Sequence, residues 1–157
     1  MKTMVMSATT LRGLDVVIAL HTLQEPTVNE WAVYVELQLK LKRKAGGDVS
    51  KIRNIVITDG GAPNAKQRAQ MQAEVFGTEG NKVSVISNSL NNPLKRGIAT
   101  AISWVNPEFK ALLPEQWRDA LKHIDLTGEI RPILLELERM QTQITPVSTL
   151  TQLAALA

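Results

Sequence analysis

Three short runs of aliphatic and β-branched residues, Asp15-Val-Val-Ile-Ala-Leu20, Ile52-Arg-Asn-Ile-Val-Ile-Thr58 and Lys82-Val-Ser-Val-Ile-Ser87, are separated by segments with helical spacing of apolar residues. Runs this short, rich in Val and Ile and bounded by turn residues, read as buried strands. Strand–helix–strand alternation leaves few solutions: the strands pair in parallel through right-handed crossovers and the helices cover the sheet. Residues 3–8 predict one more strand ahead of the first run, and residues 9–14, with Gly13, predict the turn between them. That opening hairpin makes the sheet mixed. Residues 109–113 predict a short edge strand. The expectation is an α/β fold: a mixed sheet of four to five strands flanked by helices.

The helices carry their own punctuation. Thr27 followed three residues later by Glu30 is a capping box, and Trp31, Tyr34, Val35 and Leu39 follow at helical spacing until Gly46-Gly47. Residues 64–76 predict a second helix, broken by Gly77 and Gly80. Residues 93–105 predict a third, with Leu94, Ile98, Ala101, Ile102 and Val105 as its inner stripe. Pro114 opens a fourth that faces Trp117, Ala120, Leu121 and Ile124 inward, with His123 on its outer side. After Gly128, residues 132–143 predict a fifth, with Leu134, Leu137 and Met140 as its stripe. The expected domain spans residues 1–144. Residues 145–157 form a C-terminal tail whose Leu150, Leu153 and Leu156 can pack, fray or meet a partner.

Composition removes several classes of function. The chain of 157 residues has no cysteine, which excludes a disulfide framework, a thiol nucleophile and a cysteine-rich zinc site and suits a reducing cytoplasm. Two histidines and no H-E-x-x-H leave no readable metal site, and no cofactor is expected. Residues 1–7 do not predict a signal peptide, and no run approaches the ~20 apolar residues of a membrane span. Net charge is +3. Its densest run, Lys40-Leu-Lys-Arg-Lys44, reads as the cation-favoured end of a helix. No basic stripe alternates with aromatics, so nucleic acid is not an expected partner.

Candidate site residues collect at the turns that follow strands. Val56-Ile-Thr-Asp-Gly-Gly-Ala-Pro-Asn64 runs from a strand through two glycines into a helix. Thr58, Asp59, Gly60, Gly61 and Asn64 can hold an anion on free N–H groups, or simply make a tight turn with Asn64 as the cap. The G-x-x-x-x-G-K-[ST] and G-x-G-x-x-G spacings are absent. At the next corner, Ser87 and Asn88 precede a helix with Lys95 and Arg96 in its first turn, where the dipole disfavours cations. A bound anion, an acidic partner or a nearby carboxylate would relieve this, as would solvation. In a parallel sheet these corners share the carboxyl edge with His21, where open α/β sheets bind ligands. His21 and Asp59 make an acid–base pair only within hydrogen-bond reach.

The pieces VITDGGAPNAKQR, VSVISNS, RGIATAISWVNPEFKAL and PEQWRDALKHI, within residues 15–126 and with the order β-β-α-β-α-β-α, resemble the STAS (SpoIIAA-like) domains of bacterial anti-sigma-factor antagonists. CRAL-TRIO lipid-binding domains share that likeness. The resemblance implies a non-catalytic regulatory module acting through protein–protein contacts near residues 58–64, in the bacterial cytoplasm. Antagonists of this kind carry a phosphorylatable serine directly after the aspartate. This chain has Gly60 there, and Thr58 lies before it in the strand.

Two functions therefore stand side by side: a protein-docking regulatory module, and a domain for a small anionic or lipid-like ligand at the carboxyl edge of the sheet. The two are separated by whether the edge near Lys95 and Arg96 is a pocket or a flat face. A homodimer is also expected. Trp104 lies off its helix's inner stripe, the Trp31 helix is apolar on more than one side through Val28, Val33 and Leu37, and the tail adds three leucines.

Overall fold

In the computed structural model, which describes residues 1–77 and 81–157 and all their side chains except those of Ala101, Ser103, Trp104 and Val105, the first reversal takes only two residues. Arg12 and Gly13 both have positive φ, 52° and 73°, as a two-residue hairpin turn of the primed kind requires. The turn is thus narrower than residues 9–14. The β-branched Thr9 and Thr10 continue the ladder to the Leu11–Leu14 pair, so β1 is Met4–Leu11 and β2 is Leu14–His21.

Three parallel strands follow: β3 (Ile52–Thr58), β4 (Lys82–Ser87) and β5 (Phe109–Leu112). The sheet order is β1-β2-β3-β4-β5. Val56 of β3 pairs with Val85 of β4, and Ile86 with Leu112 of the short edge strand. Because each crossover steps to the next strand in the same direction, right-handed connections put all the crossover helices on one face. These are α1 (Val28–Lys44), α2 (Ala65–Met71), which continues into a π-helical turn over Gln72–Phe76, and α3 (Pro93–Val105). The opposite face takes α4 (Trp117–His123), α5 (Ile130–Gln141) and α6 (Ser148–Leu156).

Period-two alternation sorts the strand residues between the faces. Ile18, Leu20, Ile55, Ile57 and Ile86 join Leu121, Ile133, Leu137 and Leu153 under α4–α6. On the other face, Met4, Val17 and Ile52 pack with Trp31, Tyr34, Val35 and Met71 of α1 and α2.

The Thr27–Glu30 capping box forms as its spacing predicts. Glu30 does more: its carboxylate also accepts from the backbone N–H groups of Thr3 and Met4 at 2.7 and 3.1 Å and takes the Thr3 hydroxyl, tying the start of α1 to the start of β1. The basic run ends α1 as expected, with Lys44 paired to Asp15 at 3.0 Å and Lys42 donating to the Val75 carbonyl.

Of the options open to residues 145–157, packing is the one taken: α6 folds onto the sheet, and Val147, Leu150 and Leu153 enter the main core. Three expectations need correction. Leu94 does not face inward but is 71% exposed. The stripe of α5 begins at Ile133, one residue before Leu134, which is half-buried. His123 is half-buried too, its ring Nε2 2.7 Å from the Glu108 carbonyl oxygen. Gly80 and the side chains of Ala101, Trp104 and Val105, all used in the sequence reading, lie outside the described residues. Of the residues behind the homodimer expectation, Leu150 and Leu153 are buried within the single chain, Leu37 is half-buried, and Val28, Val33 and Leu156 are exposed. No described helix is long and apolar enough to cross a membrane.

Candidate functional site

The same alternation that builds the cores divides the predicted site. At the ends of β3 and β4, Thr58 and Ser87 point to the α1–α3 face, and Asp59 and Asn88 turn to the other. The nine expected residues therefore do not form one cluster.

Asp59 and Asn88 belong to α6. The Asp59 carboxylate accepts from the N–H groups of Ser148 and Thr149 at 2.9 and 2.8 Å and from the Ser148 hydroxyl at 3.0 Å. Asn88 donates its side-chain amide to the Ser148 hydroxyl oxygen at 3.0 Å. Burial raises the Asp59 pKa, but the hydrogen bonds from Thr149 and Ser148 outweigh it and hold the carboxyl below its usual range. Asp59 is therefore an N-terminal cap supplied from across the chain and is not paired with the imidazole of His21. Asn64 caps α2 in a second capping box with Gln67. Arg96 turns back to the Leu90 carbonyl oxygen at 3.2 Å and stays exposed.

Thr58, Gly60, Gly61, Ser87 and Lys95 do converge, together with His21 and Ser89, at one end of a cavity between the sheet and α1, α2 and α3. The Lys95 ammonium donates to the Gly60 carbonyl oxygen at 2.8 Å. That contact gives the cation at the start of α3 a partner within the chain. Thr58 Oγ1 accepts from the Gly60 N–H at 3.0 Å, and the Ser87 and Ser89 hydroxyls lie 2.7 Å apart. Gly61 is fixed by packing. A Cβ there would stand 2.3 and 2.5 Å from the carbonyl oxygens of Gln24 and Thr22 and 2.8 Å from His21 Nε2.

Away from this end the cavity is apolar. Val56 and Val85 form its floor, Phe109 and Ala111 one wall, and Ile98 and Ile102 of α3 its roof. Its volume is about 150 Å³. The cause is visible in α3: none of its described side chains is buried, and Val56, Val85, Phe109 and Ala111 beneath it are only half-buried. Close packing is the rule in protein interiors, and here it fails on one half of one sheet face.

Two residues that line the cavity each carry a fully enclosed polar atom with no hydrogen-bond partner among the described residues: His21 Nε2, which lies against Gly61, and Trp31 Nε1. His21 is 3% exposed and Trp31 6%. Burial pushes the His21 imidazole down to about 4, reinforced by the Lys95 charge and opposed by the Gln24 carbonyl and by Glu30, so the ring is neutral at pH 7. His21 is the cross-strand partner of Met4, and Glu30, which precedes Trp31, holds the Met4 amide. From sequence, His21 falls at this edge, whereas Trp31 reads as part of the apolar spacing of α1 and of a surface for a second copy. The signal for Trp31 was its place one residue after the capping glutamate, in the turn of α1 nearest β1.

Among the described residues, no group of three or more His, Asp and Glu side chains could hold a metal ion. Compared with protein-family models, with curated proteins and with solved structures, the chain matches none.

Proposed function

We propose that the chain is a non-catalytic binding domain for a small, largely apolar molecule held beneath α3. The observation that carries this reading is the apolar cavity of about 150 Å³ beneath α3, whose polar end lies at the carboxyl ends of β2, β3 and β4. Its polar end gathers five of the nine residues singled out in the sequence. The sheet winds in one direction and so lacks the switch-point crevice of doubly wound folds. A face left unsealed by a crossover helix is the concave alternative.

A STAS-like (SpoIIAA-like) ancestry belongs to this proposal, supported by the β-β-α-β-α-β-α order and the one-way sheet. Docking of a protein partner at residues 58–64 has less behind it. The polar groups of that turn are engaged within the chain, Asp59 by α6, the Gly60 carbonyl by Lys95 and Asn64 by α2.

Toluene tests the cavity. In two-dimensional amide NMR spectra it is expected to shift the signals of Val85, Ile98, Ile102 and Ala111, and Ala111→Phe, which fills the space, is expected to abolish those shifts. No shifts in this set at saturating toluene would overturn the proposal.

A further inference from the structure

We infer that the cavity selects a small monocarboxylate, its compact apolar body beneath α3 and its carboxylate at the Lys95 end. This rests on the cavity being a binding site and names the class of ligand it takes.

The sign of the charge on the wall comes first. Among the described residues, four titratable side chains line the cavity: His21, Tyr34, Arg68 and Lys95. Burial holds the His21 imidazole down and pushes the Tyr34 phenol up to about 12, so both are neutral at pH 7. That leaves two cations and no carboxylate on the wall. Both cations are half-buried. Neither is paired with a carboxylate among the described residues. Each has one hydrogen bond within the chain, Arg68 to the Pro63 carbonyl oxygen and Lys95 to that of Gly60. A guanidinium has five N–H donors and an ammonium three, so most of them remain for a guest. A half-buried cation beside apolar surface and without a counter-charge favours an anion over a neutral or positive occupant.

The place of the head group follows from Gly60. A Cβ there would stand 2.8 Å from Ser89 Oγ and 3.3 Å from Lys95 Cε. The missing Cβ lets both side-chain ends abut the same residue at the polar end of the cavity. Ser87 Oγ lies 2.7 Å from Ser89 Oγ and accepts the Ser89 N–H at 3.1 Å. Only one of the two hydroxyl hydrogens can lie between the serines, and the other has no acceptor among the described residues. A carboxylate, which only accepts, takes this O–H together with the ammonium. One ammonium at this end matches one negative charge, which favours a carboxylate over a dianionic phosphate. Size sets the body. Cavities near 150 Å³ hold a molecule about the size of benzene, so the body is a single ring or a short branched chain and not a long acyl tail. The anionic or lipid-like ligand drawn from the sequence is narrowed on both counts.

Calorimetric titration at pH 7 with benzoate, benzyl alcohol, toluene and benzylammonium separates the possibilities, because the four share a ring and differ in charge. Benzoate is expected to bind about tenfold more tightly than benzyl alcohol, as one charge-assisted hydrogen bond in place of a neutral one implies, and benzylammonium more weakly than toluene. Lys95→Met keeps the length of the stem and removes the charge. It is expected to erase the preference of benzoate over benzyl alcohol while toluene still binds. If Lys95→Met does not fold or binds no probe, the wild-type order and Ser89→Ala, expected to lower benzoate affinity severalfold, carry the test. Benzyl alcohol, toluene or benzylammonium binding as tightly as benzoate, or an unchanged benzoate preference in Lys95→Met, overturns the inference and leaves the cavity as a binding site. Failure of all four probes overturns both.

Discussion

The carboxylate of Asp59, at the end of β3, accepts the backbone N–H of Thr149 at 2.8 Å and has the Thr149 hydroxyl at the same distance, so a residue from the middle of the chain caps its last helix. The Thr149 hydroxyl has one hydrogen and lies 2.9 Å from the Thr58 carbonyl oxygen as well. Val147, which opens α6, offers no capping side chain, so the helix depends on this distant carboxylate for its first N–H groups.

Asp59→Ala is therefore expected to destabilise the protein by about 2–3 kcal/mol, the range for losing a charged cap with more than one hydrogen bond. Urea denaturation measures the loss, and amide exchange is expected to rise first at residues 148–151. An unchanged midpoint would show that α6 is held by Leu150 and Leu153 alone.

Two glycines are expected to respond with opposite signs. Gly61→Ala forces a Cβ to within 2.3 Å of one carbonyl oxygen and 2.5 Å of another, neither on a flexible side chain. The backbone must shift, and a loss of ~3 kcal/mol or more is expected. Gly97 lies in α3 with nothing within 4 Å of an added Cβ, so Gly97→Ala is expected to stabilise by roughly 0.5–1 kcal/mol through helix propensity. Thermal melts of the two variants check both signs.

Much of this architecture was legible in the sequence because it is local. β3, β4 and α3 were bounded by Gly, Pro and Asn signals next to β-branched or helical runs, and the Thr27–Glu30 box follows from spacing three. Asp59 was legible as a site residue but not as a cap, because the helix it caps begins at residue 148 and no local pattern joins the two. The cavity was hidden for a related reason. Ile98 and Ile102 have the spacing of a buried stripe whether or not the helix that carries them settles fully onto the sheet.

Acid is expected to destabilise the protein in two stages. Burial lowers the His21 pKa from 6.5 to about 4, so above 6.5 the neutral ring contributes its full share of stability. That share declines as pH falls from 6.5 towards 4, where only the unfolded chain binds the proton. Burial acts to raise the Glu30 pKa, yet the hydrogen bonds from Thr3, Thr27 and Met4 hold it down from 4.5 to about 2. Its contribution is present above 4.5 and lost as pH falls towards 2. Stability measured by urea at stepped pH is expected to fall in both windows. His21→Leu should flatten the upper window only, and Glu30→Gln should reduce the lower window without abolishing it, because the Asp59 and Asp125 carboxyls are also held below their usual range. A flat wild-type profile between pH 6.5 and 4.5 contradicts the His21 assignment.

Arg53, 8% exposed at the start of β3, donates through Nε and Nη2 to the Asp125 carboxylate at 3.2 and 2.9 Å, and Lys82 at the start of β4 reaches the same oxygen at 2.9 Å. Asp125 sits at φ 62° after α4, a conformation that Asp and Asn tolerate better than most residues. The Lys82 hydrogen bond, with Arg53, keeps its carboxyl below the usual range against a smaller effect of burial. Asp125→Ala removes the charged partner of a nearly buried guanidinium, leaving it the Ser50 and Ile52 carbonyl oxygens, and adds backbone strain. It is expected to destabilise by about 2 kcal/mol. Asp125→Asn keeps the turn and is expected to recover part of that. Equal losses for the two would assign the whole effect to charge.

The last expectation concerns α3, which is tied down at its ends more firmly than along its length. Asn92 caps it by accepting the Leu94 N–H at 2.9 Å, and Pro93 suits its first position. Lys95 anchors the first turn to Gly60. Between these ties and the Asn106 N–H on the Ile102 carbonyl, none of the described side chains is buried, and Leu94 stands 71% exposed. In α1, by contrast, Trp31, Tyr34, Val35, Gln38 and Leu41 are all buried. Local opening free energy follows buried apolar contact, so the amides of α3 are expected to exchange at least ~100-fold faster than those of the middle of α1. Ala111→Phe, which gives α3 a surface to rest on, is expected to slow that exchange without changing α1. Equal protection of α3 and α1 in the wild type would mean that the helix is seated more tightly than its half-buried isoleucines indicate, and the space beneath it would then be closed to a ligand.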